Sequence, residues 1–268
     1  MTTTNHPLSG RVALITGASA GIGYDTALHL GSLGAKLILN ARRESRLLEL
    51  AQRLSDQYPT HDHTPRAVVV AGDTADDPII DQMIGASSHF DQQTPDLVVV
   101  NAGRGLAGSV LSSDDSQWDE MIRTNLTGAA KLIRRAGSAL ADLQSQREWP
   151  RGGAADLVIL GSTVGRHISP FSSMYGSTKF AVGSLAEAAR RELGPQNVRV
   201  SLIEPGIVRS EFQSVAGYDE QSFGDLMTRF APVLEPMDIA RTIGFICAQP
   251  PGVHLCDAVI RPTRQDYP

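Results

Sequence analysis

Tyr175 and Lys179 stand four positions apart in YGSTK. On a helix that spacing stacks the ammonium beside the phenol. A free phenol ionises near pH ~10, and a cation held close favours the phenolate, lowering that value by roughly 1–3 units. Such a pair suits general acid–base work on an oxygen. Tyr-x-x-x-Lys also arises by chance, so the rest of the chain has to supply the context. A second stretch able to do chemistry is TGASAGIG at 16–23, where Gly17, Gly21 and Gly23 follow an apolar run. At a strand-to-helix turn, glycines let the backbone approach a pyrophosphate lying on the helix N-terminus. The spacing Gly-x-x-x-Gly-x-Gly differs from the common Gly-x-Gly-x-x-Gly, and a tight turn with close helix packing would also explain it.

The elements that must position these residues are legible as short apolar runs. They are VALIT (12–16), KLILN (36–40), AVVVA (67–71), LVVV (97–100), LVIL (157–160), VRVSLI (198–203) and AVI (258–260). Strands apolar on both faces belong to a sheet covered on both sides, which is usually parallel. Amphipathic stretches such as RLLELAQRL and SLAEAARREL lie between them. The alternation predicts a doubly wound α/β sheet of about seven strands flanked by helices. No linker or repeat divides residues 1–268, which are expected to form a single domain. Residues 57–66, 144–153 and 211–235 read as loops, the last placed after a strand end where long connections tend to serve function.

Of 268 residues, 41% are hydrophobic and 20% charged, with a net charge of −5 and no basic tract. Nucleic-acid and anionic-membrane binding are therefore not expected. No secretory signal or membrane-spanning run is evident, and the two cysteines, Cys247 and Cys256, fit a reducing cytoplasm. His61 and His63 lie in a polar loop without cysteine partners, and no metal site is expected there.

With the loop and YGSTK in view, the chain resembles the short-chain dehydrogenase/reductase family over residues 10–262. The resemblance implies a Rossmann-type fold and assigns TGASAGIG, including Ser19 and Ile22, to the cofactor loop. It places Asp73 and Thr74 of GDT at the adenine, and matches Asn101, Ala102 and Gly103 to the NAG motif. EPGIVRS, with Pro205, Gly206, Val208 and Ser210, resembles the nicotinamide-binding segment, Ser210 standing where threonine is more usual. It further implies an active set of Asn125, Ser162, Tyr175 and Lys179. In that set Tyr175 is the general acid, and Lys179 lowers its pKa together with the positively charged oxidised nicotinamide and binds the nicotinamide ribose. Ser162 orients the substrate oxygen, and Asn125 holds a relay water.

Alignment with the family puts Ala41 where an NAD enzyme carries the acid that binds the ribose, and Arg42 and Arg43 follow. A guanidinium binds a 2′-phosphate bidentately where a carboxylate would repel it, so NADP(H) is expected, with Arg42 its principal ligand. Glu44 could serve as a late acid, and Ala20 stands where many NADP-using relatives have a basic residue. The expected activity is reduction of a ketone or aldehyde, reversible as alcohol oxidation. A serine or 3-hydroxy acid dehydrogenase is the alternative, suggested by GSTVG and IRPTRQ (260–265), and a non-catalytic NADP(H) sensor is a third reading. Residues 164–174 and 211–235 should build the substrate pocket. Phe171, Met174 and Phe212 are candidate walls, with Arg166 and His167 at its mouth. A homo-oligomer, most often a tetramer in the family, is expected through the helices after NAG and around YGSTK.

Overall fold

A computed structural model describes residues 6–60, 64–167 and 169–267. The chain runs β1 (Val12–Thr16), α1 (Gly21–Ser32), β2 (Lys36–Ala41), α2 (Glu44–Gln57), β3 (Ala67–Ala71), α3 (Asp77–Gly85) and β4 (Leu97–Val100). There follow α4 (Trp118–Ile122), α5 (Ala129–Ser145), β5 (Ala155–Leu160), α6 (Ser173–Leu193) and β6 (Val198–Pro205). Finally come α7 (Phe212–Ala216), α8 (Glu220–Phe230), α9 (Pro236–Cys247) and β7 (Asp257–Ile260). The seven strands form one parallel sheet in the order β3-β2-β1-β4-β5-β6-β7.

The apolar runs become strands because alternate residues are buried on opposite faces. Ala13, Ile15, Leu37, Leu39 and Val99 pack with Leu30, Leu50 and Ile243 of α1, α2 and α9. Val12, Leu14, Ile38, Val98 and Ile159 pack on the other side with Ile80, Leu132 and Val182 of α3, α5 and α6. At the N-terminal rim of the strands, Asp156 is buried but satisfied by Arg11 at 2.7 Å and by Arg199 at 2.8 and 2.9 Å. At the opposite rim strand order reverses between β1 and β4, and at such a switch point open α/β sheets bind ligands.

Residues 211–235 depart from the loop expectation. Phe223, Leu226 and Phe230 recur at helical spacing on α8, with Phe230 buried, and α7 precedes them. The segment is tied to the body by backbone: Ala107 N donates to Ala216 O at 2.8 Å, and Val208 bridges Leu234. His61 and His63 lie outside the described residues.

Candidate active site

β1 ends at Thr16, whose hydroxyl accepts from Asn101 N at 3.0 Å and Ala102 N at 3.1 Å; Asn101 Nδ2 donates to Thr16 O at 2.8 Å. Asn101 thereby pins the ends of β1 and β4 together across the switch point. Gly17 turns the chain away at φ +68, and a Cβ there would lie 2.8 Å from Asn101 Nδ2. A Cβ on Gly23 would lie 2.4 Å from the Gly17 carbonyl. The turn is thus closed on itself, aiming the start of α1 at the cleft. This cradle fits a pyrophosphate, since glycine alone permits both contacts.

At the far end of the cleft, β2 finishes at Ala41. Arg42 extends into solvent and donates to Glu120 Oε1 at 3.2 Å. Arg43 folds back onto the cradle, donating through Nε and Nη2 to Ser19 Oγ at 3.2 and 3.1 Å. Asp73 accepts from Ala75 N at 2.9 Å and pairs with Arg123 at 3.1 Å.

Ser162 follows β5, while Tyr175 and Lys179 lie one turn apart on α6, both buried. Ser162 and Tyr175 both line the cleft, with Ser162 near enough to the phenol to favour its ionised form. Its ring packs edge-on against Phe212, 5.4 Å between centroids, beside Leu106 and Met121. Lys179 Nζ donates to Leu160 O at 2.7 Å and stands 5.9 Å from the Tyr175 ring centroid.

Without a nicotinamide beside them, both groups are governed by burial. Burial pushes the Tyr175 phenol well above its ordinary value; Ser162 opposes this and Tyr218 adds to it. Burial also pulls the Lys179 ammonium down to about 8. In the protein alone desolvation of the charged form dominates both groups, because both lie buried in the cleft wall.

Asn125 sits on a π-helical turn, Arg123–Gly128, between α4 and α5. Its Oδ1 accepts from Arg104 N at 2.8 Å, and its Nδ2 donates to Arg104 O at 2.8 Å and Thr178 Oγ1 at 3.1 Å. Both amide hydrogens are therefore committed to holding the chain after Gly103 against α6. A water bound by Asn125 must be the donor, to an oxygen.

A cleft of about 1280 Å³ collects the expected site residues, apart from Gly23 and Asn125, which lie behind its wall. Phe171 and Phe212 line it; Met174, Arg166 and His167 do not. Arg166 instead pairs with Glu204, and with Asp257 at 3.3 Å. The sequence reading missed Gln265, whose Oε1 accepts from Ile207 N at 2.9 Å and fills the space a Gly206 side chain would need. It also missed Arg104, while Tyr218 and Arg229 come from the 211–235 segment expected to build the pocket; all three line the cleft wall. IRPTRQ carries a family likeness, but a neutral glutamine far along the chain gives no sign of which backbone it supports.

A parallel sheet with a glycine cradle at its switch point and a Ser-Tyr-Lys wall facing it defines a nucleotide-binding oxidoreductase scaffold. Residues 11–221 match the short chain dehydrogenase family, and the chain belongs to it. It is 31% identical over 254 residues to a sulfoacetaldehyde reductase of Chromohalobacter salexigens, covering 94% of each. A serine dehydrogenase structure, in its closed form with NADP+, superposes with TM-score 0.80 at 25% identity over 96% of each chain. The fold is shared with a 3-ketoacyl-(acyl-carrier-protein) reductase from Brucella melitensis complexed with NADH: TM-score 0.81, 24% identity, 96% of this chain and 99% of that one. The protein is an oxidoreductase of the short-chain type, acting between alcohol and carbonyl. Among the described residues, no helix is long and apolar enough to cross a membrane.

Proposed function

We propose that the protein is an NADP(H)-dependent reductase of ketones or aldehydes, reversible as a secondary-alcohol dehydrogenase. The observation that carries this reading is that Ser162, Tyr175 and Lys179 line one cleft with the glycine cradle, Lys179 one turn along α6 from Tyr175. When bound, the nicotinamide supplies hydride to the carbonyl carbon. Ser162 donates to the carbonyl oxygen and stabilises the charge that develops on it. Tyr175, held protonated by burial, delivers the proton that completes the alcohol. Lys179 binds the ribose and passes protons onward, and Asn125 positions the Gly103–Arg104 chain and the relay water.

Gly17, Ser19, Gly21, Ile22, Asp73, Thr74, Asn101 to Gly103, Pro205, Gly206, Val208 and Ser210 would hold the dinucleotide, as cleft-lining residues. The absence of an acid at Ala41 and the presence of Arg42 and Arg43 support NADP(H). Arg42 is the principal phosphate ligand, and Arg43, already on Ser19, is a second. The NADP+ complex of the similar serine dehydrogenase agrees.

That likeness, with the sulfoacetaldehyde reductase, favours a second reading, a 3-hydroxy or sulfonic acid substrate. Against it, the cleft arginines are already paired: Arg104 with Glu120 and Arg229 with Asp266. Oxidation of NADPH and NADH across neutral ketones, aldehydes and keto acids tests all of this. Turnover of neutral carbonyls with NADPH preferred supports the proposal. Equal use of both cofactors removes the NADP assignment, turnover of acids alone selects the second reading, and no turnover at all selects a sensor. Replacing Ala41→Asp with Arg42→Gln should cost NADPH affinity about one to two decades, the worth of a charged hydrogen bond. Assembly as a homotetramer through α5 and α6 is proposed with it, and light scattering at micromolar concentration tests that; a monomer contradicts it.

A further inference from the structure

Glu211 begins the substrate segment directly after Ser210, yet its carboxylate reaches across the cleft mouth to the turn that opens α2. Arg46 Nη1 donates to both its oxygens, at 2.8 and 2.9 Å, and Arg43 Nη1 donates to Oε2 at 3.1 Å. Hydrogen bonds from Arg46 and then Arg43 hold this carboxyl below its usual range, so at neutral pH it is an anion. The same Arg43 grips Ser19 of the phosphate cradle with its other two nitrogens, at 3.2 and 3.1 Å. One guanidinium therefore joins three things: the phosphate cradle, the turn after β2, and the first residue of the substrate segment. Ser19, Arg43, Ser210 and Glu211 all line the cleft.

A carboxylate and a phosphate monoester ask the same of a guanidinium, two parallel charge-assisted hydrogen bonds. We propose that Glu211 is a cofactor-specificity residue, an internal carboxylate that occupies Arg43 and Arg46 and competes there with the 2′-phosphate of the cofactor. The inference rests on the NADP(H) reading. Phosphate binding takes Arg43 from Glu211 and frees the start of the 211–235 segment from the cradle. NADP(H) thus differs from NAD(H) in loosening the substrate segment as well as in affinity. By linkage, whatever pulls Glu211 off the arginines also strengthens phosphate binding. The pairs are half exposed, Glu211 at 52%, Arg43 at 46% and Arg46 at 43% of side-chain surface, so the competition is modest and screened by salt.

The test uses calorimetry with 2′,5′-ADP and 5′-AMP, which carry and lack the 2′-phosphate and have no nicotinamide. Wild type, Glu211→Gln and Glu187→Gln are compared; Glu187 makes a similar exposed arginine pair away from the cleft and controls for net charge. Glu211→Gln should bind 2′,5′-ADP about 3–10-fold tighter, the scale of an exposed ion pair, with 5′-AMP unchanged. Glu187→Gln should match wild type. In the wild type, 2′,5′-ADP should speed hydrogen exchange of amides 211–216. If wild type binds both nucleotides equally, the NADP(H) reading fails and the competition with it. If wild type prefers 2′,5′-ADP but Glu211→Gln binds it no tighter, the reading stands and the competition is overturned.

Discussion

Lys179 Nζ stands 5.9 Å from the centre of the Tyr175 ring, but its hydrogen bond, at 2.7 Å, goes to the carbonyl of Leu160. The two groups are neighbours buried in one cleft wall, and each is pushed toward its neutral form by burial. A buried ammonium and a protonated phenol are a costly resting arrangement with a use: the acid is loaded, and a cation waits beside it for the negative charge of reaction.

That cost predicts a pH signature. Lys179 titrates at about 8 in the folded protein against 10.5 ordinarily. Between those values the unfolded chain binds more protons than the folded one, so stability rises with pH across the interval. Below it the penalty is fully present. Lys179→Met removes the titrating group, so its stability advantage over wild type, greatest near pH 7, should shrink by on the order of 2–3 kcal/mol by pH 10. Urea unfolding of both proteins at several pH values measures the gap. A gap that does not change with pH would show that the ammonium is not desolvated.

Gly23→Ala should disable the cradle, because the new Cβ falls 2.4 Å from the Gly17 carbonyl, a backbone atom that cannot step aside. Gly85→Ala, at the end of α3 with no atom within 4 Å of the added methyl, is the control. The first should lose both melting temperature and 2′,5′-ADP binding. The second should be neutral or gain about 0.4–1 kcal/mol from the stiffer unfolded chain. Equal behaviour in the two variants would mean that the turn is not closely packed.

Asn125→Ala leaves the N–H and C=O of Arg104 without their side-chain partner. An unsatisfied buried group costs about 1–3 kcal/mol, so the loss should be of that size for each, measured by denaturant unfolding. Asn125→Asp keeps the acceptor and loses the donor, and should fall between alanine and wild type. A fully stable alanine variant would show that water replaces the amide at no cost.

The sheet was readable because strands buried on both faces leave continuous apolar runs, and each of the seven runs became a strand. The glycine turn was readable because backbone sterics tie glycine to position, as Gly17 and Gly23 show. Side-chain alliances across the chain left no such trace. Arg42 and Arg43 are adjacent in sequence, yet one turns to Glu120 and the other to Ser19 and Glu211. Gln265 supports Ile207 from 58 residues away. Helices α7 and α8 look like loop in the sequence because α7 has only five residues and α8 carries Gly224 in its interior. The direction of the Tyr175 and Lys179 shifts depends on burial, which spacing alone does not report.

Single-turnover reduction by Tyr175→Phe bears most directly on the central claim. The substitution removes one hydroxyl from a buried ring already packed on Phe212, so folding and NADPH binding should persist. Reduction of a ketone accepted by the wild type should slow by about 10²–10⁴-fold or more, the usual worth of a general acid. NADPH bound with wild-type affinity beside that loss is the predicted result. A variant that binds NADPH and reduces the ketone at a rate close to wild type would contradict the account, because the proton would then come from elsewhere.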